Sequence, residues 1–356
     1  MSGRGYSYLT GKARNLKYFF NQGPLLKHVV DRIKFNILPK YFIAPNFPTH
    51  IDIESSSLCQ LKCPMCKQRL MAKEIKGNMN FDLYKKIIDE CSRRRVYSIK
   101  LSWRGEPLMN PGIWDMVRYA KEKRIKDVAF LTNGERLKIK DIPKLVESGL
   151  NWISFSIDGL GKTYEKIRSP SKFEDIVEKL KAIKEYKERR NLKNPLVRIQ
   201  TFYSAIKNNP KEYFDFFSPI VDRINVGADR IEIGSKDFPR DRDFICPTAW
   251  QRMMIAHNGI VAQCHDDYLL KNPMGNVNEK SLYEIWHDEP FGKFRKLQKT
   301  KQQDLSLTCR ECPHRGLMNE KVLKIHDKKV VIEKFTGQDF DIKKINAKKL
   351  FRRERK

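Results

Sequence analysis

The sequence predicts an α/β fold: a partial (β/α)6 TIM-type barrel followed by a small C-terminal domain built around cysteines. Three observations lead there. Short β-rich runs alternate with amphipathic helical stretches from residue 50 to residue 226, and strands separated by helices pair in parallel through right-handed crossovers. Six units of this kind suit an open barrel better than a closed eight-fold one. The rhythm then stops after residue 235, and four of the eight cysteines follow, at 246, 264, 309 and 312.

Strands are expected at 50–54, 97–103, 127–132, 152–157 and 198–203, and at 223–226 or 230–234, each rich in β-branched or aromatic residues. Helices are expected over 81–95 behind Asn80 as N-cap, around 112–123, over 141–149 ending at Gly149, and from 172 onward. Ahead of the first strand, residues 24–37 place Leu26, Val29, Val30, Ile33 and Ile37 on one helical face, with Lys27, Arg32 and Lys34 largely elsewhere. This basic amphipathic helix is expected to pack its apolar stripe on the barrel, with a membrane surface as the alternative. Residues 236–244 read as a polar linker. The domains are therefore a basic helical extension (1–48), the barrel (49–235), a cysteine-bearing domain (236–320) and a basic tail (321–356).

Composition narrows the class. With 40% apolar residues, 11% aromatics and five Trp in 356 residues, the chain can bury a core and is neither disordered nor fibrous. No window reaches the length of apolar sequence that spans a bilayer, and the first residues lack an apolar signal region, so the expected location is cytoplasmic. The formal net charge is +28. It is concentrated at the ends: residues 1–48 carry eight Lys or Arg against one acid, and residues 321–356 carry thirteen against five. Such ends suit an anionic membrane surface, a nucleotide-linked substrate or nucleic acid.

Cysteine spacing carries the chemistry. Cys59, Cys63 and Cys66 lie in a loop directly after the first strand, at the carboxyl end where barrels place their active sites. Three thiolates can hold three irons of a cubane and leave the fourth open to an outside ligand. Cys246, Cys264, Cys309 and Cys312 supply four thiols, enough to close a second cluster or a structural zinc site. Cys91 shares a helical stripe with Leu83, Ile87 and Ile88 and reads as a buried core thiol.

The C-x-x-x-C-x-x-C loop resembles the signature of the radical S-adenosylmethionine (SAM) superfamily, and further motifs extend the likeness over residues 49–235. Trp103-Arg104-Gly105-Glu106-Pro107 is similar to the family's GGEP motif after the second strand, with Arg104 departing from its first glycine. Thr132-Asn133-Gly134 resembles its third-strand TNG, and Ser154-Phe155-Ser156-Ile157-Asp158-Gly159 its Ser-x-Asp element. The resemblance implies a [4Fe–4S] cluster on Cys59, Cys63 and Cys66. It also implies SAM contacts from Gly105, Glu106 (to the methionine ammonium), Asn133, Ser156 and Asp158, and a backbone contact from Met65 near the adenine. SAM would be cleaved to methionine and a 5′-deoxyadenosyl radical, with a flavodoxin or ferredoxin as electron donor.

The second cysteine set, with Cys246-Pro247-Thr248-Ala249-Trp250, Asn258-Gly259, Gly275-Asn276-Val277 and Ile285-Trp286 between its members, is similar to the SPASM extension of that superfamily. Position 318 is Met and no cysteine follows 312. That pattern resembles the shortened twitch form with a single auxiliary [4Fe–4S] cluster, which decides between cluster and zinc. A lone auxiliary cluster implies oxidation, or related epimerisation, of a sugar or aminocyclitol-type substrate. The alternatives are maturation of a ribosomal peptide or protein, and RNA modification. His257, His265, Asp266, Asp267 and Arg252 flank the auxiliary cysteines; surface placement is expected for each, and none is assigned as a general base.

Overall fold

The structure is a computed structural model that describes residues 5–9, 25–228, 239–325 and 328–335. Strands β1 (Gly5–Leu9), β2 (His50–Ile53), β3 (Ser98–Lys100), β4 (Asp127–Thr132), β5 (Trp152–Ser156), β6 (Leu196–Phe202), β7 (Arg223–Gly227), β8 (Arg252–Ile255), β9 (Ile260–Ala262) and β10 (Pro273–Asn276) form one sheet. Its order is β1-β7-β6-β5-β4-β3-β2-β8-β9-β10. From β2 to β7 every pair is parallel, and helices fill the crossovers at 81–93, 113–122, 142–147, 173–189 and 210–217. This is the expected six-unit barrel. A two-stranded ladder of β11 (Met318–Ile325) and β12 (Lys328–Phe335) forms a second sheet, with β12 against β1 and β7 of the first. The strand alternative at 230–234, residues 1–4 and 10–24, and the tail from 336 lie outside the described residues.

Alternation along each strand decides what faces inward. Ile51, Ile53, Ile99, Val128, Phe130, Ile153 and Phe155 join the helices in one apolar core. The intervening residues meet on the other face and are polar. His50 Nδ1 and Ser98 Oγ lie 2.9 Å apart, Ser98 Oγ donates to Asp127 Oδ2 at 2.8 Å, and Asp52 pairs with Lys100 at 2.5 Å and Arg252 at 3.1 Å. Burial alone would raise the Asp52 carboxyl, but Lys100, His50 and Arg252 pull it well below its ordinary range. Burial lowers His50 to about 4, so that imidazole is neutral at physiological pH.

Asn80 caps helix 81–93 as expected, its side chain accepting from Asp82 N–H at 2.7 Å, and Cys91 is fully buried in the core. The chain beyond residue 239 interlocks with the barrel. β8 pairs in parallel with β2, His50 opposite Arg252. Glu90 on helix 81–93 accepts from Leu282 N–H and Tyr283 N–H, both at 2.9 Å, and so caps helix 282–287. Trp286 Nε1 donates to the Pro45 carbonyl at 2.9 Å.

One expectation is overturned. Helix 25–37 docks through His28, Asp31 and Phe35, which are 4%, 7% and 5% exposed, and not through its aliphatic stripe. Leu26, Val30, Ile33 and Ile37 all face outward. The inward side is selected by what it meets: the His28 ring lies 5.8 Å from Tyr97, and Phe35 sits 6.4 Å from the His50 ring with the Arg252 guanidinium 4.9 Å above it. A polar lumen end favours His and an aromatic ring over aliphatics.

Two substitutions test this docking. Phe35→Ala should cost roughly 3 to 5 kcal/mol of unfolding free energy through the lost ring and the cavity it leaves. Leu26→Gln should stay within about 0.5 kcal/mol. Urea unfolding of both variants reads the difference, and the reverse order would return the stripe to the interior.

Candidate active site

Residues 54–66 leave the end of β2 without regular secondary structure apart from an isolated bridge at Ser56, so neighbouring backbone must give this loop its shape. It comes from the turn after β3. Glu106 N–H donates to the Leu58 carbonyl at 2.7 Å. A Cβ on Gly105 would lie 2.4 Å from the Ser56 carbonyl oxygen and 2.6 Å from that of Leu58, so glycine is required there by close approach. The loop also donates from Lys62 N–H to the Ser169 carbonyl at 2.8 Å, tying it to the segment after β5. Met65 is partly buried against the core.

The three loop thiols sense one another. Burial is the largest cause that raises Cys59, to about 12, with Glu106, Cys66 and Cys63 adding to it. Burial likewise raises Cys63, against the pull of Arg168. Two hydrogen-bond donors meet these sulfurs: Asn133 Nδ2 at 3.6 Å from Cys59 Sγ and Arg168 Nη1 at 3.8 Å from Cys63 Sγ. Asn133 is itself oriented, its Oδ1 accepting from Gln60 Nε2 and from Glu135 N–H, each at 3.0 Å. Gly134 (φ +75°) makes the turn beneath it, where any Cβ would strike Ile176 and Phe155.

Glu106 is fully buried, and Thr132 Oγ1, Asn133 N–H and Leu108 N–H donate to it at 2.6, 2.7 and 3.1 Å. Burial nonetheless raises its carboxyl to about 7, outweighing these donors and the pull of Arg168. A desolvated carboxylate held by neutral donors beside three thiols suits an ammonium ligand. Ser156 ends β5 half-buried. Asp158 is placed differently from the sequence expectation. Both its oxygens are occupied, by Arg168 at 2.7 Å, Phe202 N–H at 3.1 Å and Thr201 Oγ1 at 3.4 Å, so it positions Arg168 and offers no open face to a ligand. Arg168, half-buried and raised by Asp158 and Cys63 against the effect of burial, is the residue that sequence reasoning missed. No motif marks it, since it lies ten residues beyond Asp158.

Arg104, the departure from the GGEP pattern, has a visible role. Its guanidinium forms a two-point pair with Glu54, through Nε at 2.6 Å and through Nη2, and donates from Nη1 to the Tyr268 carbonyl at 2.8 Å. Glu54 also receives His257 N–H at 3.1 Å and lies 3.2 Å from His257 Nδ1. Trp103 Nε1 donates to the His265 carbonyl at 2.9 Å. The turn after β3 therefore grips the loop that carries Cys264.

The second thiol set converges too. Cys264 and Cys312 are driven well above their ordinary range by burial, with Asp266 and the other thiols of the set adding, and burial takes Cys309 to about 11. Gln263 and Gln298 amides donate to Cys309 Sγ at 3.0 and 3.5 Å, and Cys246 N–H donates to Gln298 Oε1 at 3.1 Å. The expected surface placement of the flanking residues fails for Asp266 and Asp267, which are 9% and 2% exposed, while His257, His265 and Arg252 are half-buried. The cause is local. Asp267 accepts from Lys271 N–H, Asn272 N–H and Thr308 Oγ1 and builds the 264–272 turn. Asp266 pairs with Lys67 at 3.4 Å and His314 at 3.2 Å, joining the residue after Cys66 to the residue two beyond Cys312.

Among the described residues, no three His, Cys, Asp or Glu side chains close on a single metal ion. A cubane takes each thiolate on a different iron and asks for wider spacing. Buried thiols whose thiolates repel one another, each set reached by N–H donors, fit clusters whose positive charge removes that penalty.

Fold and site together define an iron–sulfur enzyme of the open-barrel type. Residues 53–197 match the radical SAM superfamily model and residues 246–313 match the iron–sulfur cluster-binding SPASM domain. The chain thus carries a radical SAM domain and a SPASM domain, and its cofactors are SAM and [4Fe–4S] clusters. It is 26% identical over 313 residues to a tungsten-containing aldehyde ferredoxin oxidoreductase cofactor-modifying protein of Pyrococcus furiosus, covering 74% of this chain and 86% of that one. It is 22% identical over 276 residues to the SAM-dependent 2-deoxy-scyllo-inosamine dehydrogenase of Niallia circulans, covering 76% and 94%. The structure of BtrN in complex with AdoMet and 2-DOIA superimposes with a TM-score of 0.55 over 80% of this chain and 98% of that chain, at 20% identity. No helix among the described residues is long and apolar enough to cross a membrane.

Two outcomes check the site. Gly105→Ala should displace the loop backbone and cut iron from about eight to about four per chain, one cubane, in anaerobically reconstituted protein; full iron content would show that the approach is not limiting. Glu106→Gln should remove a pH dependence. With its carboxyl raised from 4.5 to about 7 in the fold, the cofactor-free wild type should lose on the order of 3 kcal/mol of stability as pH rises from below 4.5 through 7. The glutamine variant should lack that slope, and its SAM affinity should be about ten- to a hundred-fold lower. Equal pH slopes for the two proteins would contradict the buried-charge assignment.

Proposed function

We propose that the protein oxidises a carbon–oxygen or carbon–nitrogen centre of a sugar or aminocyclitol-type substrate. In this reading Cys59, Cys63 and Cys66 hold the cluster that cleaves SAM, and Cys246, Cys264, Cys309 and Cys312 hold one auxiliary cluster. The observation that carries it is the cysteine inventory. Seven of the eight thiols fall into one set of three and one set of four, the eighth, Cys91, is sealed in the core, and none remains for a second auxiliary cluster. The relative from Niallia circulans, a dehydrogenase matched over 94% of its length, supports the same reaction class.

When bound, SAM and the two clusters supply hydrogen-atom abstraction and an acceptor for the second electron. The chain's own residues do the rest. Glu106 receives the SAM ammonium and exchanges a lone buried charge for an ion pair. Arg168, fixed by Asp158, holds a cation beside Cys63, and Asn133 donates to Cys59. Arg104 and Glu54 hold the turn after β3 against the 264–268 loop, which keeps the two thiol sets in one arrangement and keeps water out between them. Oxidation of an alcohol to a carbonyl removes two electrons and two protons; one hydrogen atom leaves from carbon, and the remaining electron and hydroxyl proton leave the substrate afterwards.

A second reading, modification of a peptide or of another protein's cofactor, is supported by the Pyrococcus relative, which matches over a longer stretch than the dehydrogenase. Anaerobic assays with SAM and dithionite separate the two. The dehydrogenase reading expects one 5′-deoxyadenosine per carbonyl formed from an aminocyclitol or sugar panel, and no product in the Cys59→Ala/Cys63→Ala/Cys66→Ala variant, which keeps its auxiliary iron. SAM cleavage without any carbonyl product across that panel would move the assignment to the second reading.

A further inference from the structure

We propose that the amino-terminal end of the barrel docks on an anionic membrane surface, with the outer face of helix 25–37 in the bilayer interface and the catalytic mouth turned toward water. The helix sits at that end because its contacts are strand starts: His50 opens β2, Tyr97 precedes β3 and Arg252 opens β8, and Gln251 Nε2 donates to the Phe35 carbonyl at 2.5 Å. The thiol loop leaves the opposite end.

With its polar side inward, the helix turns aliphatics to solvent. Leu26, Val30, Ile33 and Ile37 are 76, 43, 53 and 40% exposed, and just past the helix Tyr41 and Ile43 are 69 and 50% exposed. A docked helix ordinarily buries such a stripe. A contiguous apolar strip left outside marks an interaction surface.

Charge commits the occupant. A groove of about 910 Å³ runs between the helix and the strand starts, with Leu26 and Val30 on one wall. Six cations, Lys34, Arg94, Arg95, Lys123, Arg124 and Lys126, share the lining with neutral residues of 45–49 and 96–97, and its one acid, Asp31, is bonded to Arg32. Lys123 pairs with Asp89 and Arg94 lies over the Tyr283 ring. Among the described residues no carboxylate stands at ion-pair distance from Arg95, Arg124 or Lys126. Arg95 and Arg124 have φ of 58° and 65° just past helices 81–93 and 113–122, positions where glycine is the unstrained choice. Glycine at either position would remove a cation from this face and relax the backbone. A nucleic acid would neutralise the cations and leave the aliphatics in water, whereas an anionic bilayer satisfies both.

The test uses full-length reconstituted protein and vesicles of phosphatidylcholine with or without phosphatidylglycerol. Wild type should co-sediment with the anionic vesicles and stay in solution with the neutral ones. Arg95→Gly/Arg124→Gly relieves the strained backbone, so it should fold at least as well, yet partition about thirty-fold less at one unit of electrostatic attraction per cation. Leu26→Gln/Ile33→Gln, neutral and outside the catalytic machinery, should fall about tenfold or more while its SAM cleavage rate is unchanged. Three results would overturn the proposal: no preference for anionic vesicles, wild-type partitioning of the Leu26/Ile33 variant, which would assign binding to the basic chain ends alone, or a dimer in sedimentation velocity that this variant abolishes without vesicle binding, which would assign the stripe to a second copy.

Discussion

A backbone contact between two loops sets the terms for everything at the catalytic end. The Leu58 carbonyl accepts from Glu106 N–H at 2.7 Å, and Gly105 lies against the backbone of residues 56–58. The thiol loop has almost no regular structure of its own, so this contact gives Cys59 a fixed place relative to Asn133 and the Glu106 carboxylate. The same turn carries Arg104 outward to Glu54 and to the 264–268 loop. One short segment after β3 thereby locates both thiol sets, and its residue types follow: glycine for approach, glutamate for the buried acceptor, arginine for a two-point grip that lysine could not make.

Much of this was legible beforehand because local physics decided it. The six strands, the Asn80 cap, the buried Cys91 and the two cysteine groupings follow from periodicity, capping chemistry and spacing. The errors share a cause. Helix 25–37 was read from its apolar stripe, but the end of the barrel it meets is built of His50, Tyr97 and Arg252, and three-dimensional polarity reversed the face. Asp266 and Asp267 look like loop acids until the turn from 264 to 272 closes around them. Arg168 could not be found, since its value lies in contacts that only folding makes, with Asp158 ten residues earlier and with Cys63 on another loop. The alternation in His50-Ile51-Asp52-Ile53-Glu54 does announce a polar lumen, because a parallel strand buried against helices on both faces would be apolar throughout.

The lumen also shows how buried charge is made tolerable. Asp52 meets Lys100 and Arg252, Glu54 meets Arg104, and Asp158 meets Arg168, each acid with a cation in contact. Glu106 is the exception among these buried carboxylates. Its direct donors are neutral, and burial outweighs them and raises its pKa. Unlike those three acids, Glu106 stands beside the thiol loop with only neutral donors in contact, where a cationic ligand would be accommodated.

The continuity of the sheet from β2 into β8 has a consequence for how the molecule can be divided. His50 to Ile53 hydrogen-bond to β3 on one side and to Arg252–Ile255 on the other, so β2 is an interior strand. Cutting the chain after the barrel would leave a bare ladder of N–H and C=O groups beside the thiol loop, the kind of edge that recruits other chains. The cysteine-bearing segment is therefore no detachable module. It completes the sheet, and β2, which leads into the thiol loop, is held to β8 by a ladder of backbone hydrogen bonds.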